Sequence, residues 1–68
     1  MNLKQLQLFQ DIAREKSFVR AAQINHISQP AVSVHIKKLE HDLGKKLFSR
    51  SHQGVQLTPE GLTILEDV

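Results

Sequence analysis

The 68-residue chain contains no cysteine, so neither a disulfide bond nor a thiolate-bound metal can stabilise it, and a reducing compartment is compatible with the sequence. Its apolar runs are only a few residues long, which excludes a membrane span and a secretory signal. The two prolines and three glycines occur singly, and no internal repeat is found. We therefore expect a soluble, cytoplasmic protein with no membrane partner and one domain around a small core.

Patterns typical of metal sites and catalytic sites are missing as well. No two histidines have the i, i+4 spacing of one helical face; they are His26, His35, His41 and His52. Serine, histidine and aspartate all occur, but each lies in a helix or turn, where helix capping or exposure to solvent explains its presence. There is no glycine-rich phosphate loop. We predict no metal, no cofactor, no catalytic residue and no enzymatic activity.

The charge is segregated along the chain, although the net charge is only +2. Residues 16–58 contain seven lysines and arginines against two acidic residues, Glu40 and Asp42, whereas residues 59–68 sum to −3. A surface that faces phosphates requires such a concentration of positive charge. The alternative is a basic face that is merely solvated.

Two capped helices joined by a tight turn are predicted between residues 17 and 43, the layout of a helix-turn-helix. Ser17 and Ser28 can cap the two helices, and Pro30 is tolerated in the first turn of the second. One face of the second helix is apolar: Val32, Ile36, Leu39 and Leu43. The outer face is polar: Gln29, Ser33 and Lys37. These polar groups can read base edges in a major groove, although polar outer faces are also common on ordinary helices.

A first helix is predicted from its cap, Asn2 with Gln5 three residues on, and from an apolar stripe. The stripe is expected to lie in the core and consists of Leu3, Leu6, Phe9, Ile12 and Ala13. Gly44 is predicted to end the helix that begins at Ser28. Lys45 and Lys46 follow it and suit the negative end of the helix dipole, which explains them without any ligand.

Residues 47–50 and 55–57 have the composition of two short strands, with Gly54 able to take a positive φ between them. They predict a hairpin that packs on the helices through its apolar residues and directs Arg50 and His52 outward. Thr58, Pro59 and Glu60 begin another helix. Its apolar stripe is Leu62, Leu65 and Val68, and because this pattern still runs at the last residue we expect a longer protein.

Five spaced segments, taken together, resemble the N-terminal DNA-binding domain of LysR-type transcriptional regulators over essentially the whole chain. The segments are Leu3-x-x-Leu6-x-x-Phe9, Ser17-Phe18-x-x-Ala21-Ala22, residues 28–33 with Ile36-x-x-Leu39-Glu40, Leu43-Gly44-x-x-Leu47-Phe48-x-Arg50, and Leu57-Thr58-x-x-Gly61. A helix-turn-helix match alone would be weak, whereas five segments in order are specific.

The resemblance implies an all-α, mainly helical fold: a winged helix-turn-helix with a three-helix core, a short β-hairpin wing and the start of a linker helix. Residues 1–58 would form the DNA-binding domain and residues 59–68 the start of the dimerising linker. The recognition helix, about 28–43, would enter the major groove, and the wing, about 46–58, would touch the backbone or minor groove. The resemblance further implies a homodimer on an inverted-repeat operator, a tetramer in the full-length protein, and a small-molecule effector domain beyond this chain.

Carried over by position, the resemblance implies contacts to bases and to the DNA backbone. The expected base contacts are Gln29, Pro30, Ser33 and Val34. The expected backbone contacts are Ser28, Lys37, Lys38, Arg50 and His52. Val34 and Gln53 depart from the family, where longer polar and basic side chains are frequent. Val34 cannot donate to guanine but can touch a thymine methyl, so the sequence does not define the operator.

Two other functions compete with DNA binding. A winged helix can serve for protein contact, in which case an exposed apolar or aromatic anchor is expected on the recognition helix. Only Pro30 and Val34 are candidates for such an anchor. The stripe of Leu62, Leu65 and Val68 is predicted to mediate dimerisation, and its alternative is to cover the core.

Overall fold

The helices of the computed structural model begin where capping side chains satisfy the free N–H groups of the first turn. Asn2 and Gln5 form a capping box, and the hydroxyls of Ser17, Ser28 and Thr58 each accept a backbone N–H three residues on. The structure describes residues 2–51 and 54–68. Its elements are α1 (Leu3–Glu15), α2 (Phe18–Asn25), α3 (Gln29–Leu43), β1 (Phe48–Ser51), β2 (Gly54–Leu57) and α4 (Pro59–Asp67). The predicted mainly helical winged fold is confirmed.

Left-handed residues end the first three helices. Gly44, with φ of 67°, ends α3 as the sequence predicts. Lys16 and His26 adopt the same conformation at the ends of α1 and α2 without being glycine. This costs free energy at both residues, which the packing on either side must offset. Neither left-handed residue was predicted from the sequence.

The core lies between α1, α2 and α3 and is closed by Leu47, the residue before β1. Its buried apolar residues are Leu8, Phe9, Ile12, Phe18, Ala21, Ala22, Val32, Ile36, Leu39 and Leu47. The predicted burial of Leu3 is wrong, because its side chain is 80% exposed. A row with spacing three drifts by about 60° at each step, so Leu3 and Ile12 cannot share a face. The buried residues of α1 are instead Gln5, Leu8, Phe9, Asp11 and Ile12.

The hairpin is antiparallel, with Phe48 opposite Leu57 and Arg50 opposite Val55. Gly54 has φ of 101° at the start of β2, as expected for the turn. Phe48 packs its ring against Phe9, with centroids 5.4 Å apart, so the predicted packing of the wing on the helices is confirmed. A two-stranded ribbon needs such support.

A polar contact between α1 and α2 was not predicted. The amide nitrogen of Asn25 donates to a carboxylate oxygen of the buried Asp11 at 2.8 Å, and Arg14 lies 2.9 Å from the other oxygen. Asp11 is therefore paired despite its burial, as a buried carboxylate must be.

None of the helices in the described ranges is long and apolar enough to cross a membrane.

Candidate nucleic-acid interface

The outer face of α3 displays most of the predicted base-contacting side chains. Gln29, Pro30 and Val34 are exposed, and Ser33 is half-buried. They lie in the first two turns, because Ser28 caps the helix through a hydrogen bond from the N–H of Ala31. A capping hydroxyl keeps its own proton, so Ser28 can still donate to an acceptor outside the protein.

The wing lies beside this face of α3. One depression between α3 and the wing is lined by Ser33, Lys37, Lys46 and Arg50 among others, and its neighbour by Lys16, Gln29 and Arg50. Arg50 borders both, so it stands where the wing meets the helix. We call the surface formed by Gln29, Ser33, Lys37, Lys46 and Arg50 the recognition face.

The guanidinium of Arg50 stacks on an aromatic ring rather than extending freely. Its central carbon lies 4.5 Å from the centroid of the Phe18 ring, within the range of a cation–π contact. Phe18 is the first residue of α2 and is buried. The contact therefore joins the wing to the helix that precedes the turn.

The positive charge of the recognition face is not neutralised by the protein. In the described part of the chain, Lys37, Lys46 and Arg50 make no ion pair, whereas the ion pairs that occur join Arg14 and Arg20 to acidic residues of α1. Glu40 lines the same depression as these cations, and its carboxylate accepts the backbone N–H of Leu47 at 2.8 Å. Its carboxylate thus serves to hold the start of the wing.

Among the described residues, one predicted backbone contact, Lys38, does not join the recognition face. Lys38 lines a separate depression with Gln5, Val34 and Asp42, on the side of α3 that adjoins the start of α1, so Val34 borders this depression and not those shared with the wing. Lys37 borders this depression as well as the recognition face. The prediction for His52 lies outside the described residues, as does the departure at Gln53.

The predicted apolar stripe of α4 is divided between two environments. Leu62 and Val68 are about half exposed, at 49% and 51%. Leu65 is half-buried and packs against the core beside Ile64. Leu62 and Val68 are thus accessible to a second molecule, whereas the main contacts of Leu65 are within the chain.

Several residues near the recognition face were missed by sequence reasoning. Lys16 and Val19 border it, and Val19 is an exposed apolar side chain in the same depression as Gln29. Lys46 is part of it, although the sequence explained this lysine by the helix dipole alone. Phe18 and Glu40 also line the depression between α3 and the wing, where Phe18 stacks with Arg50 and Glu40 accepts the N–H of Leu47. Both residues belong to the segments that carry the family resemblance, and Phe18 was expected on the buried side of its helix, but spacing along the chain did not indicate which residues they contact. No three histidine, aspartate or glutamate side chains within residues 2–51 and 54–68 are grouped to hold a metal.

Residues 3–62 match the model of the bacterial regulatory helix-turn-helix protein, lysR family. The chain is 48% identical over 66 residues to the HTH-type transcriptional regulator YcgK of Bacillus subtilis (strain 168), covering 97% of this chain and 20% of that protein. It is 48% identical over 67 residues to the regulator ClcR of Pseudomonas putida, covering 98% and 23%. The chain thus spans about a fifth of the length of these relatives.

Solved structures of protein–DNA complexes share this fold. The CbnR_DBD–DNA complex has a TM-score of 0.92 and 40% identity, covering 98% of this chain and 77% of that one. The complex of BenM_DBD with catB site 1 DNA has a TM-score of 0.92 and 37% identity, covering 98% and 75%. At these identities, the likeness extends to sequence as well as fold.

Proposed function

This chain belongs to the lysR family of bacterial regulatory helix-turn-helix proteins, and from that membership we propose how its recognition face reads an operator. The chain is a winged helix-turn-helix DNA-binding domain of a transcriptional regulator and not an enzyme. The first two turns of α3 enter the major groove, and the wing contacts the backbone or the adjacent minor groove. Regulation takes place in the cytoplasm.

The proposal rests on one observation: α3 and the wing together form one surface, and the cations described on that surface are not paired with acidic side chains. Lys37, Lys46 and Arg50 make no ion pair in the described part of the chain. Placing three such charges together costs free energy that a polyanion offsets. A protein-binding surface instead needs an apolar or aromatic anchor, and the exposed apolar side chains described beside this surface, Val19, Pro30 and Val34, include no aromatic ring. Duplex DNA fits it better.

The base contacts are assigned to Gln29, Pro30, Ser33 and Val34. The amide of Gln29 can pair bidentately with adenine, and the hydroxyl of Ser33 can donate or accept. Val34 is 52% exposed and has no polar atom, so it fits a thymine methyl group, as does the ring of Pro30. This face therefore prefers A·T pairs at the positions that it touches.

The backbone contacts are assigned to Ser28, Lys37 and Arg50 on the recognition side. Lys46 joins them, because it lines the same depression as Lys37 and Arg50. Lys38 lies on the side of α3 that adjoins α1, so it would contact only the DNA backbone that passes that side of the helix. His52 remains a proposed backbone contact from the sequence resemblance alone.

Replacing Gln29 with alanine is expected to flatten the base preference at one position of each half-site. A good bidentate pair contributes about 1–3 kcal/mol of discrimination, which is roughly a fivefold to 150-fold preference. Selection of preferred duplexes from a random pool, at fixed salt, measures the change. Gln10→Ala is the matched control, because Gln10 is an exposed glutamine on α1 away from the recognition face.

Three outcomes would count against this assignment. An unaltered preference would place Gln29 on phosphate or water, and a large loss of thermal stability in Gln29→Ala would make it a structural residue. If the unmodified chain enriches no motif at moderate salt, the module would instead serve for protein contact.

Two copies are proposed to bind an inverted-repeat operator through α4. Leu62 on α4 and Val68 directly after it are exposed large apolar residues. Nine residues make only about 14 Å of helix, so this chain buries too little surface for a tight dimer by itself. The full-length protein is proposed to be a tetramer, with an effector-binding domain for a small molecule outside this chain.

Leu62→Asp is expected to abolish cooperative binding of two copies to a duplex that carries both half-sites. Binding to a single half-site should change little, because Leu62 lies on α4 rather than on the recognition face. Quantitative gel-shift titration of both duplexes checks this. Thr63→Asp adds the same charge at an exposed neighbour and serves as control. Equal cooperativity in Leu62→Asp and the unmodified chain would reject α4 as the dimer contact.

A further inference from the structure

Three phenylalanine side chains connect the core to the wing. The rings of Phe9 and Phe48 have centroids 5.4 Å apart, and those of Phe48 and Phe18 are 5.8 Å apart and nearly perpendicular, at 72°. Both distances are in the favourable range for aromatic pairs. Because Phe9 is fully buried, the orientation of the Phe18 ring is set from inside the core.

Arg50 lies on the outer side of this cluster. Its guanidinium carbon is 4.5 Å from the Phe18 centroid, and no carboxylate in the described ranges pairs with it. The strand that carries Arg50 is fixed at its other end, where Glu40 accepts the N–H groups of Leu47 at 2.8 Å and Phe48 at 3.4 Å. The backbone of β1 is therefore tied to α3, and the Arg50 side chain to α2.

A free arginine side chain loses rotamer entropy when it meets a phosphate. Ordering such a side chain reduces the affinity of a contact by roughly twofold to tenfold. A ring that already holds the guanidinium removes part of that cost, and arginine is the cation best suited to stacking.

We propose that Phe18 is a positioning residue, which holds Arg50 at the junction of wing and α3 so that its guanidinium meets a DNA phosphate in fixed register with the bases under Gln29 and Ser33. This rests on the proposed function, since it assumes that the recognition face binds DNA. Phe18 itself is buried and touches no DNA. Its effect on binding passes through Arg50 alone.

A double-mutant cycle on duplex affinity tests the proposal. Phe18→Leu keeps an apolar side chain but removes the aromatic face, and is expected to lower affinity about threefold in the unmodified chain. In the Arg50→Ala background the same change is expected to leave affinity unaltered, because the group that Phe18 positions is gone. All variants are compared well below their unfolding temperatures, so that loss of stability does not enter.

A spectroscopic measurement on the free chain follows the stack directly. The ring current of Phe18 should move the NMR resonances of the Arg50 side chain, and Phe18→Leu should return them to values of an unstacked arginine. Phe18→Tyr, which keeps the aromatic face, should retain the shift and restore affinity.

The possible failures are distinguishable. If Arg50→Ala leaves duplex affinity unchanged, the proposed phosphate contact itself is wrong. If Arg50→Ala weakens binding but Phe18→Leu weakens it equally in both backgrounds, Phe18 has a structural role and the positioning proposal is overturned. Loss of affinity in Phe18→Leu without any change in the Arg50 resonances would overturn it as well.

Discussion

Duplex DNA binding by this chain is expected to weaken about fortyfold when monovalent salt rises from 50 to 200 mM, if the three cations of the recognition face each meet a phosphate. Each phosphate contact contributes roughly 0.9 to the slope of log affinity against log salt, because a condensed counterion is released. Five contacts, with Lys38 and Lys45 added, would raise the loss to about five-hundredfold. Fluorescence anisotropy across a salt series measures the slope.

Single neutralisations decide which cations take part. Lys46→Ala and Arg50→Ala are each expected to reduce the slope by about 0.9, for all sequences alike. Lys38→Ala should reduce it less, since Lys38 lies on the other side of α3. Lys4→Gln is the control, because Lys4 is on α1 and contacts Asn25. Affinity insensitive to salt would contradict the assignment of the recognition face to phosphates.

Replacing Gly61 with alanine is expected to destabilise the domain by about 1–3 kcal/mol, although alanine is the better helix former. At Gly61, α4 lies against the backbone of Leu47, the residue before β1. An added Cβ would overlap the carbonyl oxygen of Leu47 and lie 3.1 Å from its carbonyl carbon. That oxygen accepts the N–H of Thr58 at 3.0 Å, so moving it disturbs the cap of α4.

Thermal unfolding measures this effect. In a domain of this size each kcal/mol lowers the unfolding midpoint by roughly 4–8 °C. Thr63→Ala is the matched control on the same helix, where the side chain is exposed and a change within about 0.5 kcal/mol is expected. An unfolding midpoint for Gly61→Ala at or above that of the unmodified chain would show that Gly61 is not in close contact with the backbone of Leu47.

The beginnings of the four helices and the end of α3 were determined by local signals in the sequence. Asn2, Ser17, Ser28 and Thr58 each cap a helix at the predicted residue, and Gly44 ends α3. These are local signals: the capping side chain and the N–H that it accepts are three residues apart, so their meeting requires no other part of the chain. The polar face of α3 followed in the same way from helical spacing.

Only the tertiary structure decided which apolar residues are buried and which residues distant in sequence contact one another. Leu3 and Leu8 are both leucines of α1, yet the first is exposed and the second fully buried, because only one of them faces α2 and α3. Arg50 stacks on Phe18, 32 positions away, and Glu40 binds the N–H groups that open the wing. Such pairs form only when separate elements pack together. Their partners depend on the relative placement of helices and hairpin, which no spacing within one segment determines.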